Sequence, residues 1–376
     1  MRWSLLILVL NLALALDISS INLQSYTLID HMKRIEEFPQ LVEGKKVREW
    51  ILEDKLPEGR LFLEKAPLTK EGFQELFKNS NLERLSELIH VVYGWTLRRT
   101  NMRMYPSHLT IHRGDPQIDY NQYTLLEPFT PLAILHTSKD GRWFYVHAPY
   151  MRGWVQKEDV RVVSKESLLK VKSLPFLVVT AGRVKLGGVV FGLGSKMPYL
   201  ERRGQSYKVL LPDGTNLWIT KERGLEEGYM KFEEARVRSL LEELLGTPYD
   251  WGGKEGRWDC SSLVQSLYSV FGVELPRNSA QQERIGRVVA RGFESYEELK
   301  NLLKVMPSFR TLLFMRGHVM IYGGFEGDDV VVYHSVYRMT REDGNKWFLG
   351  AISKNYLERE KLRNIYKAIV SVNLLD

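Results

Sequence analysis

The amino-acid sequence predicts an α+β protein built from several domains. Its 376 residues show helical spacing up to about residue 100, then short alternating runs joined by turns, and finally a helix followed by strands. At roughly 100 to 200 residues per domain, this length suits two to four folded units. We therefore expect separate hydrophobic cores along the chain.

The composition excludes several classes of protein. With 44% hydrophobic and 26% charged residues, the chain is of the folded type. The net charge of +7 is spread without a block of like charges, so we predict no nucleic-acid partner. Cys260 is the one cysteine, which excludes an internal disulfide and a CxxC metal or redox site. No nucleotide-binding loop or metal-ligand spacing appears, and we predict neither a cofactor nor a metal.

Residues 1–15 are interpreted as a signal peptide. A positive start is followed by the apolar runs Leu5–Leu10 and Leu12–Leu16, and Ala13 and Ala15 have the spacing that signal peptidase prefers. The run is too short to span a bilayer. We expect export to the periplasm or the medium, with no stable membrane insertion after removal of the signal. A buried N-terminal helix is the alternative.

Residues 16–100 are predicted to form a helical N-terminal segment without chemistry of its own. Apolar residues recur there at helical spacing: Met32, Ile35 and Phe38, and again Leu82, Leu85, Leu88 and Ile89. Prolines divide the segment into short pieces.

Two small β-barrels are predicted to follow, over residues 101–165 and 166–226. The first contains the alternating runs Thr130–His136 and Trp143–His147, joined by a turn. The second repeats this texture with shorter strands. The many aromatic residues are read first as core, and a binding role is the alternative.

Cys260 is predicted to lie in the first turn of a helix. The glycine-rich stretch before Cys260 ends at Gly256. After Cys260 a set of apolar residues falls on one face of a helix: Leu263, Val264, Leu267, Tyr268 and Phe271. Gly272 is a natural stop. Because the start of a helix stabilises an anion, we expect the thiol pKa to lie below about 8.5.

His318 and His334 fall in two strand-like runs that a short link, Phe325–Asp328, joins. Antiparallel pairing would bring the two rings together. His318 as base and His334 as its orienting partner then give the Cys-His-polar arrangement that a thiol nucleophile requires. Each residue alone could be structural, and a zinc site is disfavoured because no HExxH-type partner is present.

Several motifs in one order resemble the NlpC-type (NlpC/p60) cell-wall cysteine peptidases, which are papain-like enzymes. The stretches are Tyr249–Gly253, Asp259–Val264, Leu275–Ser279, Gly317–Tyr322 and Tyr333–Ser335. The resemblance implies a papain-like domain over residues 227–376. The two predicted barrels resemble bacterial SH3-like modules of wall-active proteins, as in a multidomain subgroup of that family. One departure is Ser262, where the family usually has glycine.

The resemblance implies hydrolysis of the γ-D-glutamyl to diamino-acid bond in peptidoglycan stem peptides by a monomeric enzyme. Cys260 would be the nucleophile, His318 the base and acid, and His334 the orienting group. Tyr249, Asp259 and Ser261 would bind substrate: Tyr249 near the oxyanion, and Asp259 at a free α-amino group. Two other functions stay open, namely a wall-binding protein with an idle site, and an amidase or acyltransferase on the same scaffold.

Overall fold

The computed structural model describes residues 15–376, so the predicted signal peptide lies, except for Ala15, outside the described residues. The described chain forms two compact units. The cysteine unit comprises residues 15–30, 229–249 and 257–376, and the β unit comprises 31–228 and 250–256. Between residues 15 and 376 no helix is both long and apolar enough to cross a bilayer.

Side chains cap several of the helices: Asp17, Thr69 and Ser164 each accept from a backbone N–H group of the first turn. In chain order the described helices are α1 (Ile18–Leu28), α2 (Gly44–Leu52), α3 (Lys70–Lys78), α4 (Lys165–Lys172), α5 (Glu234–Leu244), α6 (Cys260–Ser269), α7 (Ser279–Gln282) and α8 (Tyr296–Leu303).

Antiparallel pairing connects the strands within each sheet. In the β unit the strands are β1 (Leu41–Glu43), β2 (Phe62–Leu63), β3 (Ala66–Pro67), β4 (Leu88–His90), β5 (Val92–Thr96), β6 (Thr100–Arg103), β7 (Ile111–His112), β8 (Gln122–Leu126), β9 (Pro131–Thr137), β10 (Trp143–Ala148), β11 (Met151–Gln156), β12 (Val160–Val163), β13 (Phe176–Val179), β14 (Arg183–Leu186), β15 (Val189–Gly192), β16 (Lys196–Arg203), β17 (Ser206–Leu210), β18 (Asn216–Thr220) and β19 (Leu225–Glu227). In the cysteine unit they are β20 (Arg287–Ala290), β21 (Thr311–Met315), β22 (His318–Glu326), β23 (Asp329–Thr340), β24 (Lys346–Tyr356) and β25 (Ile369–Leu374).

The β unit contains two larger sheets. One has the strand order β12-β5-β9-β10-β11-β6-β8, and the other has the order β18-β17-β16-β13-β19. Buried aromatic residues such as Tyr145 and Trp154 fill the core of the first sheet. The second has a separate core that includes Phe191 and Tyr207. Each of the two larger sheets thus has a core of its own, and the division into two modules at residues 101–165 and 166–226 stays a prediction.

The helical prediction for residues 82–89 is wrong. Leu82–Arg84 forms a single 3-10 turn, and β4 pairs with β1. In β4 only Ile89 is buried, between the exposed Leu88 and His90, which is the two-residue period of a strand. Eight residues hold about two helical turns, too few for an apolar spacing to exclude a strand.

The predicted N-terminal segment is also divided between the two units. Helix α1 belongs to the cysteine unit, where the Asn22 side chain donates to Gly272 O at 2.9 Å and accepts from Glu274 N at 2.7 Å. Strand β5 belongs to the first large sheet of the β unit. The sequence pattern located these elements without showing which partners they pack against.

The cysteine unit is built on one antiparallel sheet with the order β20-β25-β21-β22-β23-β24. Helix α6 packs on β22 and β23 through its buried residues Leu263, Val264 and Leu267. A mixed α+β fold with this layout is the predicted fold class. The packing of α6 on these two strands places the start of the helix near residues that they carry.

Candidate active site

Helix α6 begins at Cys260, as the sequence predicts. Asp259 is its N-cap: the Asp259 carboxylate accepts from Ser262 N at 2.8 Å, and the Ser262 hydroxyl accepts from Asp259 N at 3.0 Å. This reciprocal capping box fixes the first turn. Ser262, the departure from the usual family residue, therefore has a structural use at this position.

His318 and His334 lie on the paired strands β22 and β23. The register pairs Ile321 with Tyr333, so the two histidines are diagonal neighbours across the ladder. His318 Nε2 lies 2.8 Å from His334 Nδ1, and the ring centroids are 5.0 Å apart. The prediction that hairpin pairing brings the two rings together is confirmed.

The Cys260 sulfur lies against the start of β22. Its Sγ is 4.0 Å from Gly317 O, and the backbone N–H of Val319 donates to it. Gly317 and Val319 flank His318 in the sequence. The Cys260 sulfur therefore contacts the backbone on both sides of that histidine. Because His318 Nε2 is occupied by His334, Nδ1 is the ring nitrogen left for the thiol.

The pKa of Cys260 is not lowered as the helix position suggests. Burial raises the pKa of this thiol to about 12, and the nearby Asp259 carboxylate adds to the shift, while the N–H groups of Val319 and Ser261 oppose it. Cys260 is only 8% exposed, so the loss of water around the anion outweighs the favourable helix start. The predicted low thiol pKa is wrong for the resting protein.

Both histidines are neutral in the same surroundings. Burial lowers the pKa of His318 well below its ordinary value, and it lowers the pKa of His334 to about 4. A neutral imidazole has one N–H donor and one lone pair. The resting site therefore holds a neutral thiol and two neutral imidazoles.

Asp259 and Ser261 are part of a hydrogen-bond network that is centred on Arg277. The Arg277 guanidinium donates to Asp259 Oδ2 at 2.6 Å, to Asp259 Oδ1 at 3.1 Å and to Ser261 Oγ at 2.9 Å. Burial opposes the charge of Asp259, yet Arg277 and the Ser262 N–H lower its pKa. The ammonium group of a bound peptide would share the Asp259 carboxylate with Arg277, which already neutralises its charge.

Tyr249 lies beside the chain that leads into the helix. Its backbone forms a bridge with Trp258, two residues before Cys260, and its ring packs 5.7 Å from that of Tyr337. The structure thus places Tyr249 near the start of α6. Its contact with the oxyanion stays a prediction.

Two polar residues of the site were not singled out from the sequence. Arg277 stands within the Leu275–Ser279 stretch, and that motif was the available signal. Asn355 accepts at Oδ1 within 2.8 Å of His334 Nε2, from strand β24. No local pattern marks Asn355, because its partner is 21 residues away in the chain.

Within residues 15–376 no group of three histidine, cysteine, aspartate or glutamate side chains is placed to hold a metal ion.

Two known families match separate stretches of the chain. Residues 246–372 match the NlpC/P60 family, and residues 110–156 match an SH3 domain of the SH3b1 type. The C-terminal part of this chain is an NlpC/P60 domain. The domain contains Cys260, His318 and His334 and is of the predicted family.

Two curated relatives match parts of this chain. A γ-D-glutamyl-L-lysine dipeptidyl-peptidase of Bacillus cereus is 31% identical over 103 residues, which are 25% of this chain and 30% of the relative. A probable endopeptidase NlpC homologue of Haemophilus influenzae is 45% identical over 55 residues, 14% of this chain and 30% of the relative. The matches thus span about a third of each relative.

Two solved structures share the fold at 18% sequence identity. An NlpC/P60 endopeptidase from Photobacterium damselae subsp. piscicida matches with a TM-score of 0.70, over 95% of this chain and 92% of its own. An NlpC/P60 family protein from Bacillus cereus matches with a TM-score of 0.50, over 67% and 81%. The fold of this chain is therefore shared with NlpC/P60 proteins.

Proposed function

We propose that this protein is an exported cysteine endopeptidase that hydrolyses the γ-D-glutamyl to diamino-acid bond of peptidoglycan stem peptides. The observation that carries the proposal is the position of Cys260 at the start of α6, with its sulfur against Gly317 and Val319, which flank His318, and with His334 at 2.8 Å from His318. A thiol at a helix start facing an oriented imidazole is the arrangement of a Cys-His hydrolase.

The proposed reaction starts from the neutral pair. His318 Nδ1 takes the thiol proton as Sγ attacks the γ-carbonyl carbon, which gives a tetrahedral oxyanion. The backbone N–H of Cys260, which has no partner within its own helix, and the Tyr249 hydroxyl would stabilise that oxygen. His318 then protonates the departing amine, and water hydrolyses the thioester to restore the thiol.

The choice of bond is supported by the Bacillus cereus relative, whose name states a γ-D-glutamyl-L-lysine specificity. The SH3b1-type domain supports a wall polymer as partner. Periplasmic or secreted localisation follows from the proposed substrate and from the predicted signal at residues 1–15. Asp259 and Ser261 would face the free α-amino end of the peptide through the network centred on Arg277.

The proposal is tested with the tripeptide L-Ala-γ-D-Glu-L-Lys and its diaminopimelate counterpart, read by mass spectrometry. We expect release of the dipeptide L-Ala-D-Glu and the free diamino acid. The variants Cys260→Ala and His318→Ala should release no product above background. Ser269→Ala is the matched control, because it alters the far end of the same helix and should cut at the wild-type rate.

The products also separate the alternatives. Full activity in Cys260→Ala, or no cleavage of either peptide by the wild type, would contradict the proposal. A product in which the acyl group has moved to another amine would instead assign an acyltransferase.

A further inference from the structure

The hydrogen bonds that start at His318 continue beyond His334 to Asn355 and Glu360. His334 Nε2 lies 2.8 Å from Asn355 Oδ1, and Asn355 Nδ2 lies 2.8 Å from Glu360 Oε2. His334 and Asn355 are each 1% exposed, so water does not compete for these contacts. The chain of contacts runs without a break from His318 to a carboxylate.

Glu360 fixes the direction of every donor in this chain. An ionised carboxylate only accepts, so the atom of Asn355 that faces Glu360 must be its NH₂ group. Glu360 Oε2 also accepts from Tyr356 N at 2.9 Å, and this contact holds the carboxylate in place. The side-chain carbonyl oxygen of Asn355 consequently faces His334. Because this oxygen only accepts, His334 must donate the hydrogen bond.

The two histidine tautomers follow from that demand. His334 must carry its proton on Nε2, which leaves a lone pair on its Nδ1. His318 then donates from Nε2 to His334, and its own lone pair lies on Nδ1. That is the ring nitrogen left for the thiol of Cys260.

We propose that Asn355, oriented by Glu360, is a positioning residue that selects the tautomers of both histidines and so keeps the base lone pair of His318 directed at Cys260. This inference rests on the proposed function, which requires His318 to act as the base. Asn355 touches neither the substrate nor the thiol; it acts through His334.

Other charged groups near the site do not specify the tautomers. The Asp259 carboxylate acts on His318 through its charge, and Asp259 is itself paired with Arg277. On the neighbouring strand, Ser353 is the residue opposite His334 in the ladder, and it carries no charge. Among the described contacts of His334, Asn355 supplies the acceptor at Nε2.

Without the Asn355 acceptor the opposite tautomers become available. His334 could then carry its proton on Nδ1 and donate to His318 Nε2, which would move the His318 proton to Nδ1. In that state the nitrogen that the proposed function assigns as the base is a donor and does not accept the sulfur proton. The expected consequence is a loss in the chemical step with little change in substrate binding.

The test compares three variants of the full chain. Asn355→Leu keeps the size of the side chain and removes the acceptor; Asn355→Asp keeps an acceptor for His334. Asn364→Leu is the matched control, because Asn364 bonds to Thr340 O and Arg341 O away from the site. The measurements are kcat and KM for the tripeptide, and the rate of Cys260 alkylation by iodoacetamide at pH 7.

We expect Asn355→Leu to lower kcat about 100-fold with KM changed less than threefold, and to lower the alkylation rate in parallel. Asn355→Asp should stay within about tenfold of wild-type kcat. In this variant the new carboxyl faces Glu360 Oε2, so the two carboxyls share one proton near neutral pH, and an oxygen is still left to accept from His334. Asn364→Leu should leave both rates within twofold.

A folded Asn355→Leu protein with wild-type kcat and wild-type alkylation would overturn the inference. So would an Asn355→Asp variant as inactive as Asn355→Leu, because conservative rescue would then be absent. Failure of the proposed function looks different: the wild type would cut no murein peptide, while the alkylation rates would still differ between Asn355→Leu and the wild type.

Discussion

Cys260 is subject to two opposing influences on one sulfur atom. The helix start and the N–H groups of Val319 and Ser261 favour the thiolate, whereas burial and Asp259 disfavour it and raise the thiol pKa to about 12. Burial prevails because the sulfur is almost completely removed from water. The resting thiol is thus protected, and its reactivity depends on the base beside it.

The Arg277 to Asp259 pair predicts a pH-dependent loss of stability. In the wild type the folded-state pKa of Asp259 is depressed, so its contribution to stability is present above about pH 4 and lost as the pH falls. In Arg277→Met the carboxylate stays buried without its cation, and its pKa should rise above the unfolded value. Stability should then decrease as the pH rises above about 4. The expected loss at pH 7.5 is about 3 to 5 kcal/mol.

The loss is measured as the free energy of unfolding in urea at pH 4.5 and pH 7.5. Hydrogen exchange of the peptide that covers α6 monitors the unfolding. Arg291→Met is the control, because its pair with Glu283 is at the surface and should contribute less than about 1 kcal/mol. An Arg277→Met variant that loses the same free energy at both pH values would contradict the account.

The segment 250–256 is held by contacts with residues that are distant from it in the sequence. Three of its carbonyl oxygens accept from side chains of the β unit: Gly252 O from Gln122, Lys254 O from Asn101, and Gly256 O from Arg99. The Lys254 ammonium lies 2.7 Å from the buried Asp119 carboxylate. These contacts explain why the segment belongs to the β unit although it interrupts the NlpC/P60 sequence.

Lys254→Met should loosen this segment. The variant removes the ion pair, while Asp119 keeps Arg103 at 2.9 Å, so the core around Asp119 should remain folded. We expect hydrogen exchange in residues 250–256 to accelerate about tenfold, with other peptides unchanged. Lys139→Met, which removes an exposed pair with Glu83, should leave that exchange unaltered. Unchanged exchange in Lys254→Met would contradict this expectation, because the three carbonyl contacts would then hold the segment without the ion pair.

Elements with a strong local pattern were predictable, and partners distant in sequence were not. The apolar face after Cys260 gave α6, and the short link before Asp329 gave the hairpin of β22 and β23. Arg277 and Asn355 join the site only after folding, and nothing in their own neighbourhood specifies a partner. The thiol pKa was misjudged for a related reason: the helix start is visible in the sequence, whereas the burial that outweighs it is a tertiary property.

At the scale of the whole molecule, the chain passes between the two units at residues 30, 228, 249 and 256. A comparison across the units helps to interpret the site. His147 of the β unit is fully buried, and burial lowers its pKa to about 3, yet it has no thiol partner among its described contacts. A lowered histidine pKa is therefore not a sign of catalysis in this protein. What sets the NlpC/P60 domain apart is the unbroken chain of contacts from His318 to Glu360.

The most direct test of the account is the pH dependence of Cys260 alkylation in the full-length wild type and in His318→Ala, measured from pH 5 to pH 10. Because the proposed function makes His318 the acceptor of the thiol proton, we predict that the wild type reacts at least tenfold faster near neutrality. The gap should narrow toward pH 10, where hydroxide deprotonates the thiol directly. Superimposable curves for the two proteins would contradict the role of His318 as the base.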